Sequence, residues 1–183
     1  MTAVATAEFA FVARMPETVR TTRLVLRAPN RTDVSAMARL ANNKNVHKWM
    51  SRLPYPYGEI DAMDFIDRIA RGPDEHAYAI LTSDGGFIGV IGLTRHEDEP
   101  AELGYWIGEP YWGLGYGSEV AGALVAATDV AGCDRIAARA QSLNHASCRV
   151  LEKSGFVETS RRVADCGPHK GVSITYFIRE RLR

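Results

Sequence analysis

Three glycines spaced two apart, Gly113, Gly115 and Gly117 in the segment EPYWGLGYGSEV, are the residues best suited to hold a ligand. Without Cβ atoms the backbone can come close to a bound group, and a helix that opens on such a turn leaves its first N–H groups unpaired. Those N–H groups hold a phosphate without any basic side chain. A plain tight turn would use the same letters. Two nucleotide-binding signatures do not fit. No lysine follows the glycines as G-x-x-x-x-G-K-[ST] demands, and the G-x-G-x-G spacing departs from G-x-G-x-x-G and follows a strand meander instead of a first strand–helix unit.

The elements that must position this turn can be read from periodicity. TTRLVLRA alternates as a half-buried strand, and Asn30 to Asp33 offers caps for a helix carrying Val34, Met37, Leu40 and Ala41. After the loop with Pro54 and Pro56, a second helix would bury Ile60, Met63, Phe65, Ile66 and Ile69 and stop at Gly72-Pro73. HAYAILT and FIGVIGLTR form a hairpin through Ser83-Asp-Gly-Gly86, and AELGYWIG, after the acidic turn from His96 to Pro100, adds a third strand. A long apolar helix is expected from near Ser118 to Val130. Then come a strand (RIAARA), a short helix (Asn144 to Ser154) and two further strands (FVETSRRV and SITYFIRE). The pattern implies an α/β (α+β) fold with one central mixed sheet.

The chain of 183 residues suits one domain, with 46% hydrophobic and 24% charged residues, enough for a sizeable core. Residues 1–19 read as a loose tail without the basic start of a secretion signal, and residues 20–183 as the domain. The balance of 22 basic and 22 acidic residues argues against a nucleic-acid partner, and no apolar run is long enough to cross a membrane. Cys133, Cys148 and Cys166 are odd in number and form no C-x-x-C pair, which fits a reducing cytoplasm. Cys166 and His169 stand three apart with no second ligand pair, so no metal site is expected.

A second segment, LNHASCRVLEKSGF, places Asn144, Ser147, Val150, Glu152, Lys153, Gly155 and Phe156 in the pattern N-x-x-S-x-x-V-x-E-K-x-G-F. Together with the glycine string and the TTRLVLR and AELGYW strands, it resembles the GNAT acetyltransferase superfamily, in particular its ribosomal-protein N-acetyltransferase branch. The superfamily's acyl-CoA loop reads R/Q-x-x-G-x-G/A; here Gly115 and Gly117 match, and Trp112 stands where Arg or Gln is usual. The resemblance covers roughly residues 20–183. It implies a GNAT-like domain whose mostly antiparallel twisted sheet is flanked by about four helices. It also implies acetyl-CoA as cosubstrate and transfer of its acetyl group directly to a primary amine, on a protein N-terminus or a small molecule, through a tetrahedral intermediate. A monomer or homodimer is expected.

Amide formation needs a neutral amine, a polarised carbonyl and a departing thiolate that benefits from a proton. Glu102 is the candidate general base, acting through a water. It sits in an otherwise apolar strand before the loop, where burial would raise its pKa; a solvent-facing edge acid is the other reading. Ser147 is the candidate donor to the leaving sulfur, although a first-turn serine is often only structural. Many relatives carry Tyr four positions further on, where this chain has Leu151. Backbone N–H groups of Leu114, Gly115, Tyr116, Gly117 and Ser118 would cradle the pyrophosphate. Asn144 would touch the pantetheine, cap the helix, or both. Cys148 as an acyl-carrying nucleophile is the weaker reading beside a small buried helix residue.

The alternative is a catalytically weak acyl-CoA-binding or interaction module of the same fold. Charge is unevenly spread: residues 51–110 hold 12 acids and 4 bases, and residues 134–183 hold 10 bases and 5 acids. If that segregation persists in space, the acidic stretch would attract a cationic amine and the basic one an anionic cosubstrate.

Overall fold

The computed structural model describes residues 9–97 and 99–181. Its framework is one eight-stranded sheet: β1 (Thr18–Arg20), β2 (Leu24–Arg27), β3 (Glu75–Thr82), β4 (Phe87–His96), β5 (Glu99–Ile107), β6 (Arg135–Gln141), β7 (Val157–Val163) and β8 (Ser173–Glu180), in the order β1-β2-β3-β4-β5-β6-β8-β7. Every neighbouring pair is antiparallel except β5 and β6. Helices α1 (Val34–Ala41), α2 (Lys44–His47) and α3 (Glu59–Asp64) pack on one face, and α4 (Tyr116–Val130) and α5 (His145–Lys153) on the other. This is the mixed α/β sheet expected from the pattern of elements, and mostly antiparallel as the family resemblance implied.

Strand alternation divides the core in two. Along β3, Tyr78 and Ile80 join Leu124, Leu151 and Phe177 beneath α4 and α5. Ala77, Ala79 and Leu81 face Met37, Leu40 and Val46 of the other layer. Successive side chains of a strand point to opposite faces, so one sheet serves two apolar layers.

Three local expectations differ from the structure. The tail over residues 1–19 is not loose from Phe9 onward: Phe11 and Met15 are core residues, Arg14 Nε donates to Ala131 O at 2.7 Å, and β1 joins the sheet. Apolar side chains at the positions of Phe11 and Met15 cap the end of the core under α4, which the short, mixed segment did not betray. The rest of that expectation, residues 1–8, lies outside the described residues, as do Asp98 of the acidic turn and the last two residues of the expected domain. In α3 the buried position is Ala62, while Ile60 is 79% exposed. The ladder then changes to a π turn over Phe65–Ile69, which rotates the following apolar side chains relative to the helical wheel. Finally, α4 begins at Tyr116, two residues before the expected start.

Candidate active site

The parallel strands β5 and β6 pair only at Glu102 with Ala137 and Leu103 with Ala138. Beyond these residues they part, and the gap opens at their carboxyl ends, where open α/β sheets place ligands. A cleft of about 1300 Å³ runs through this gap from the α1–α3 side to the α4–α5 side. Glu102, Tyr105, Gly115, Gly117, Asn144 and Ser147 all line it.

On the α1–α3 side, Glu102 is the central acid. Arg139 Nε donates to its Oε1 at 2.9 Å, and His96 Nε2 lies 3.0 Å from Oε2, in ion-pair range but without hydrogen-bond geometry. The expected rise in its pKa does not occur. Burial pushes the carboxyl up, but His96 and Arg139 outweigh it and hold the group below the ordinary glutamate value. In return the carboxylate beside it raises the His96 imidazole. These partners come from β4 and β6, so only the sheet register reveals them.

A polar row extends from Glu102 across the sheet. Thr94 is its cross-strand partner on β4, and Glu75 is that of Thr94 on β3. Thr94 Oγ1 donates to Glu75 Oε2 at 2.9 Å, and Arg52 reaches both, Nη1 to Glu75 at 3.1 Å and Nη2 to Thr94 at 2.7 Å. Sequence reasoning did not single out Arg52, Glu75 or Thr94; their spacing carries no motif.

The opposite face presents Tyr105, Ser147 and the glycine turn. Tyr105 Oη donates to Ser147 Oγ at 3.2 Å, and burial pushes the phenol up to about 12. Asn144 caps α5, its Oδ1 accepting from Ser147 N at 3.2 Å. Leu151 is buried in the core. Burial also raises the Cys148 thiol, which keeps it protonated and disfavours a nucleophilic role.

Gly115 caps α4 with φ +81°, a left-handed conformation that favours glycine. The first bond of the helix runs from Glu119 N to Gly115 O at 3.2 Å. The N–H groups of Gly115, Tyr116, Gly117 and Ser118 therefore have no helical acceptor, as an anion cradle requires. Gly117 is constrained differently: a Cβ there would lie 3.2 Å from Val150, so its bareness lets α4 approach α5. Leu114 is half-exposed and outside the cleft lining, and its carbonyl accepts from Arg23 Nη1 at 2.9 Å. Trp112, at the place of the usual Arg or Gln, fastens the turn to the sheet by donating from Nε1 to Ile107 O at 2.6 Å.

The sequence-level charge segregation does not become an acidic face. Of the cleft-lining acids of that stretch, Glu75, Asp64 and Glu102 are paired with Arg52, Arg68 and Arg139, and Asp61 accepts from Gly58 N at 2.8 Å instead. Asp67 and Asp74 are paired likewise with Arg31 and Arg95. Among the described residues no three His, Cys, Asp or Glu side chains group as a metal site, and no helix is long and apolar enough to cross a membrane.

Residues 23–157 match the family model of the acetyltransferase (GNAT) domain. No curated protein matches the chain by sequence. Among solved structures, a GNAT-family acetyltransferase from Bacillus anthracis superposes with TM-score 0.78 at 22% identity, covering 89% of this chain and 98% of its own. The ribosomal L7/L12 alpha-N-protein acetyltransferase RimL, in complex with coenzyme A, gives 0.79 at 20% identity, with 90% and 98% covered. The spermidine N-acetyltransferase from Vibrio cholerae, in complex with CoA and spermine, gives 0.74 at 18% identity, with 87% and 96% covered. These likenesses establish the shared fold. With the family model spanning most of the chain, the protein belongs to the GNAT acetyltransferase family and is an acetyl-CoA-dependent N-acetyltransferase.

Proposed function

We propose that the chain transfers the acetyl group of acetyl-CoA directly to a primary amine, with Glu102 receiving the amine proton and Ser147 serving the departing sulfur. The observation that carries this reading is the placement of β5 at the opening in the sheet. It turns Glu102 to one mouth of the cleft and Tyr105, bonded to Ser147, to the other, so acceptor and donor can meet from opposite faces.

The glycine turn supplies the fit for the cosubstrate. Four N–H groups without helical acceptors and the positive end of α4 suit a pyrophosphate, and a Cβ on Gly113 would meet nothing within 4 Å, so the turn faces open space. Gly115, Tyr116, Gly117 and Ser118 would hold the phosphates, with the neighbouring N–H of Leu114 at the edge of the turn. Asn144 lines the cleft beside Ser147 and would border the pantetheine arm while it caps α5. Acetyl-CoA, when bound, supplies the activated thioester carbonyl; the chain supplies orientation, a base and a hydrogen-bond donor.

Glu102 is ionised at neutral pH and can take a proton through a water as the amine bonds to carbon. His96 and Arg139 keep it charged and fix its direction. Ser147 presents its hydroxyl proton away from Tyr105, because the Tyr105 hydroxyl donates to the Ser147 oxygen. A thiol of ordinary pKa, near 8.5–9, leaves readily, so this hydroxyl acts as a modest aid and an orienting contact (roughly the cysteine range).

The acceptor carries a primary amine, on a protein N-terminus or a small molecule. RimL acts on a protein N-terminus and the Vibrio cholerae relative on spermidine. The arginine partners of Glu75, Asp64 and Glu102 favour an acceptor with one amine, such as a peptide N-terminus, over a polycation. Release of free thiol from acetyl-CoA, measured across peptides with varied N-termini, polyamines and aminoglycosides, tests this. Turnover with peptides supports the reading, turnover with polyamines alone reverses the acceptor assignment, and CoA binding with no acceptor-stimulated release assigns the chain to a binding module.

A further inference from the structure

The N-terminal strand pair reaches the glycine turn through Arg23. Its Nη1 donates to Leu114 O at 2.9 Å, its Nε donates to Glu119 Oε2 at 2.7 Å, and its guanidinium lies 4.5 Å from the centre of the Tyr116 ring. Nη2 also sits 2.6 Å from Glu119 Oε2 and 3.5 Å from where a Cβ of Gly115 would stand. One side chain thus touches or borders Leu114, Gly115, Tyr116 and Glu119, the whole entry to α4.

Glu119 is the anomaly at this place. It lies in the first turn of α4, where an acid favours the helix dipole but opposes an incoming pyrophosphate. Its charge is spent on the N-terminal strands instead: Oε1 accepts from Thr21 Oγ1 at 2.6 Å and from Arg23 N at 3.0 Å, and Oε2 from the Arg23 guanidinium. Its side chain is only 18% exposed, so these partners, more than solvent, offset its charge. The Leu114–Gly115 peptide adds a second consequence. In a trans peptide the C=O and the following N–H point in opposite directions. Holding Leu114 O toward Arg23 therefore aims the Gly115 N–H the other way, out of the guanidinium's reach and into the cradle.

We propose that Arg23 is a positioning residue for the acyl-CoA pyrophosphate. It neutralises Glu119 in the first turn of α4 and fixes the Leu114–Gly115 peptide so that its N–H is presented to the phosphates. This inference rests on the glycine turn being the pyrophosphate site. It assigns no direct phosphate contact to Arg23, each of whose three guanidinium nitrogens engages Glu119 or Leu114.

A charge-neutralisation double-mutant cycle on CoA binding, read by titration calorimetry at low and high salt, separates this role from a structural strut. R23Q leaves Glu119 unneutralised beside the phosphates and weakens CoA binding about tenfold, with the loss shrinking as salt screens the repulsion. E119Q keeps the Arg23–Leu114 contact, removes the acid and tightens binding about threefold. R23Q/E119Q recovers the salt-sensitive part of the affinity lost in R23Q and retains the part lost with the Arg23–Leu114 contact, although it has lost more hydrogen bonds than either single variant. If the double variant binds no better than R23Q, or E119Q weakens binding as R23Q does, the proposal is overturned and the pair is a strut. Thermal midpoints of all three variants, together with the affinity of E119Q, keep the result readable if R23Q folds poorly. Wild-type protein that fails to bind CoA refutes the pyrophosphate site itself, a separate outcome.

Discussion

Tyr105 on β5 and Ser147 in the first turn of α5 are joined by a 3.2 Å hydrogen bond in which the phenol donates. The bond crosses from the sheet to the helix layer at the point where β5 and β6 separate, and it occupies the Ser147 oxygen while leaving its proton free. Burial raises the phenol to about 12, so it stays a donor at every working pH. In the proposed mechanism the pair takes the place of a helix-borne tyrosine at the position of Leu151.

Removing the serine hydroxyl exposes the weight of this arrangement. Ser147→Ala is expected to lower kcat about tenfold with little change in CoA affinity, and Tyr105→Phe about threefold. Because both act through one proton, the double variant should equal Ser147→Ala alone. Additive losses in steady-state kinetics would show that the two residues act independently.

Glu102→Gln should reduce kcat about a hundredfold at unchanged CoA affinity, since it removes the base and leaves the cradle intact. The pH profile carries a second signature. His96 and Arg139 hold the carboxyl down, so kcat at saturating acceptor stays level as pH falls toward the ordinary glutamate value and declines only below it. His96→Asn removes one of those cations while burial persists, which moves the acid limb to higher pH. A limb that stays in place or moves lower would remove His96 from this role.

Gly115→Val places a β-branched residue at φ +81°. Strain of about 1–3 kcal/mol falls on the cap of α4, and the aim of the cradle N–H groups is lost. CoA dissociation constants should rise about tenfold. Gly122→Ala, inside α4 where a Cβ meets nothing within 4 Å, is the control: it should raise stability by up to about 1 kcal/mol and leave binding unchanged. Equal CoA affinity in Gly115→Val would dissociate the turn from the cosubstrate.

His76 is buried away from the cleft, against Arg71 and the Tyr78 hydroxyl, and burial with the arginine charge lowers its pKa to about 4. The unfolded chain takes up this proton near pH 6.5 and the folded one only near 4, so stability falls as pH drops through that interval and levels off below it. Urea midpoints measured from pH 7 to 4 should show the decline, and His76→Gln should flatten it. An unchanged slope in the variant would assign the acid sensitivity to other groups.

Much of the molecule was written in local sequence. Alternation in TTRLVLR specified a strand because a half-buried strand must place its apolar residues two apart, and the Ser83-Asp-Gly-Gly86 turn joined HAYAILT and FIGVIGLTR as a hairpin. The glycine string specified the turn because only glycine enters the left-handed region cheaply at Gly115. Asn144 and Ser147 were legible for the same reason, since a helix start needs a cap at a fixed spacing. What tertiary structure alone decided is what meets across strands. His96, Arg139 and Glu102 converge through the β4–β5–β6 register, and they reversed the expected pKa shift because two cations outweigh burial. Arg23 and Glu119, 96 positions apart, form a network with no sequence pattern. The acidic segment lost most of its apparent field because three of its four cleft-lining acids, Asp64, Glu75 and Glu102, stand beside arginines, while Asp61 does not. Periodicity and backbone stereochemistry act between near neighbours and leave a mark in the sequence; charge pairing acts through space, and the register of distant strands sets it.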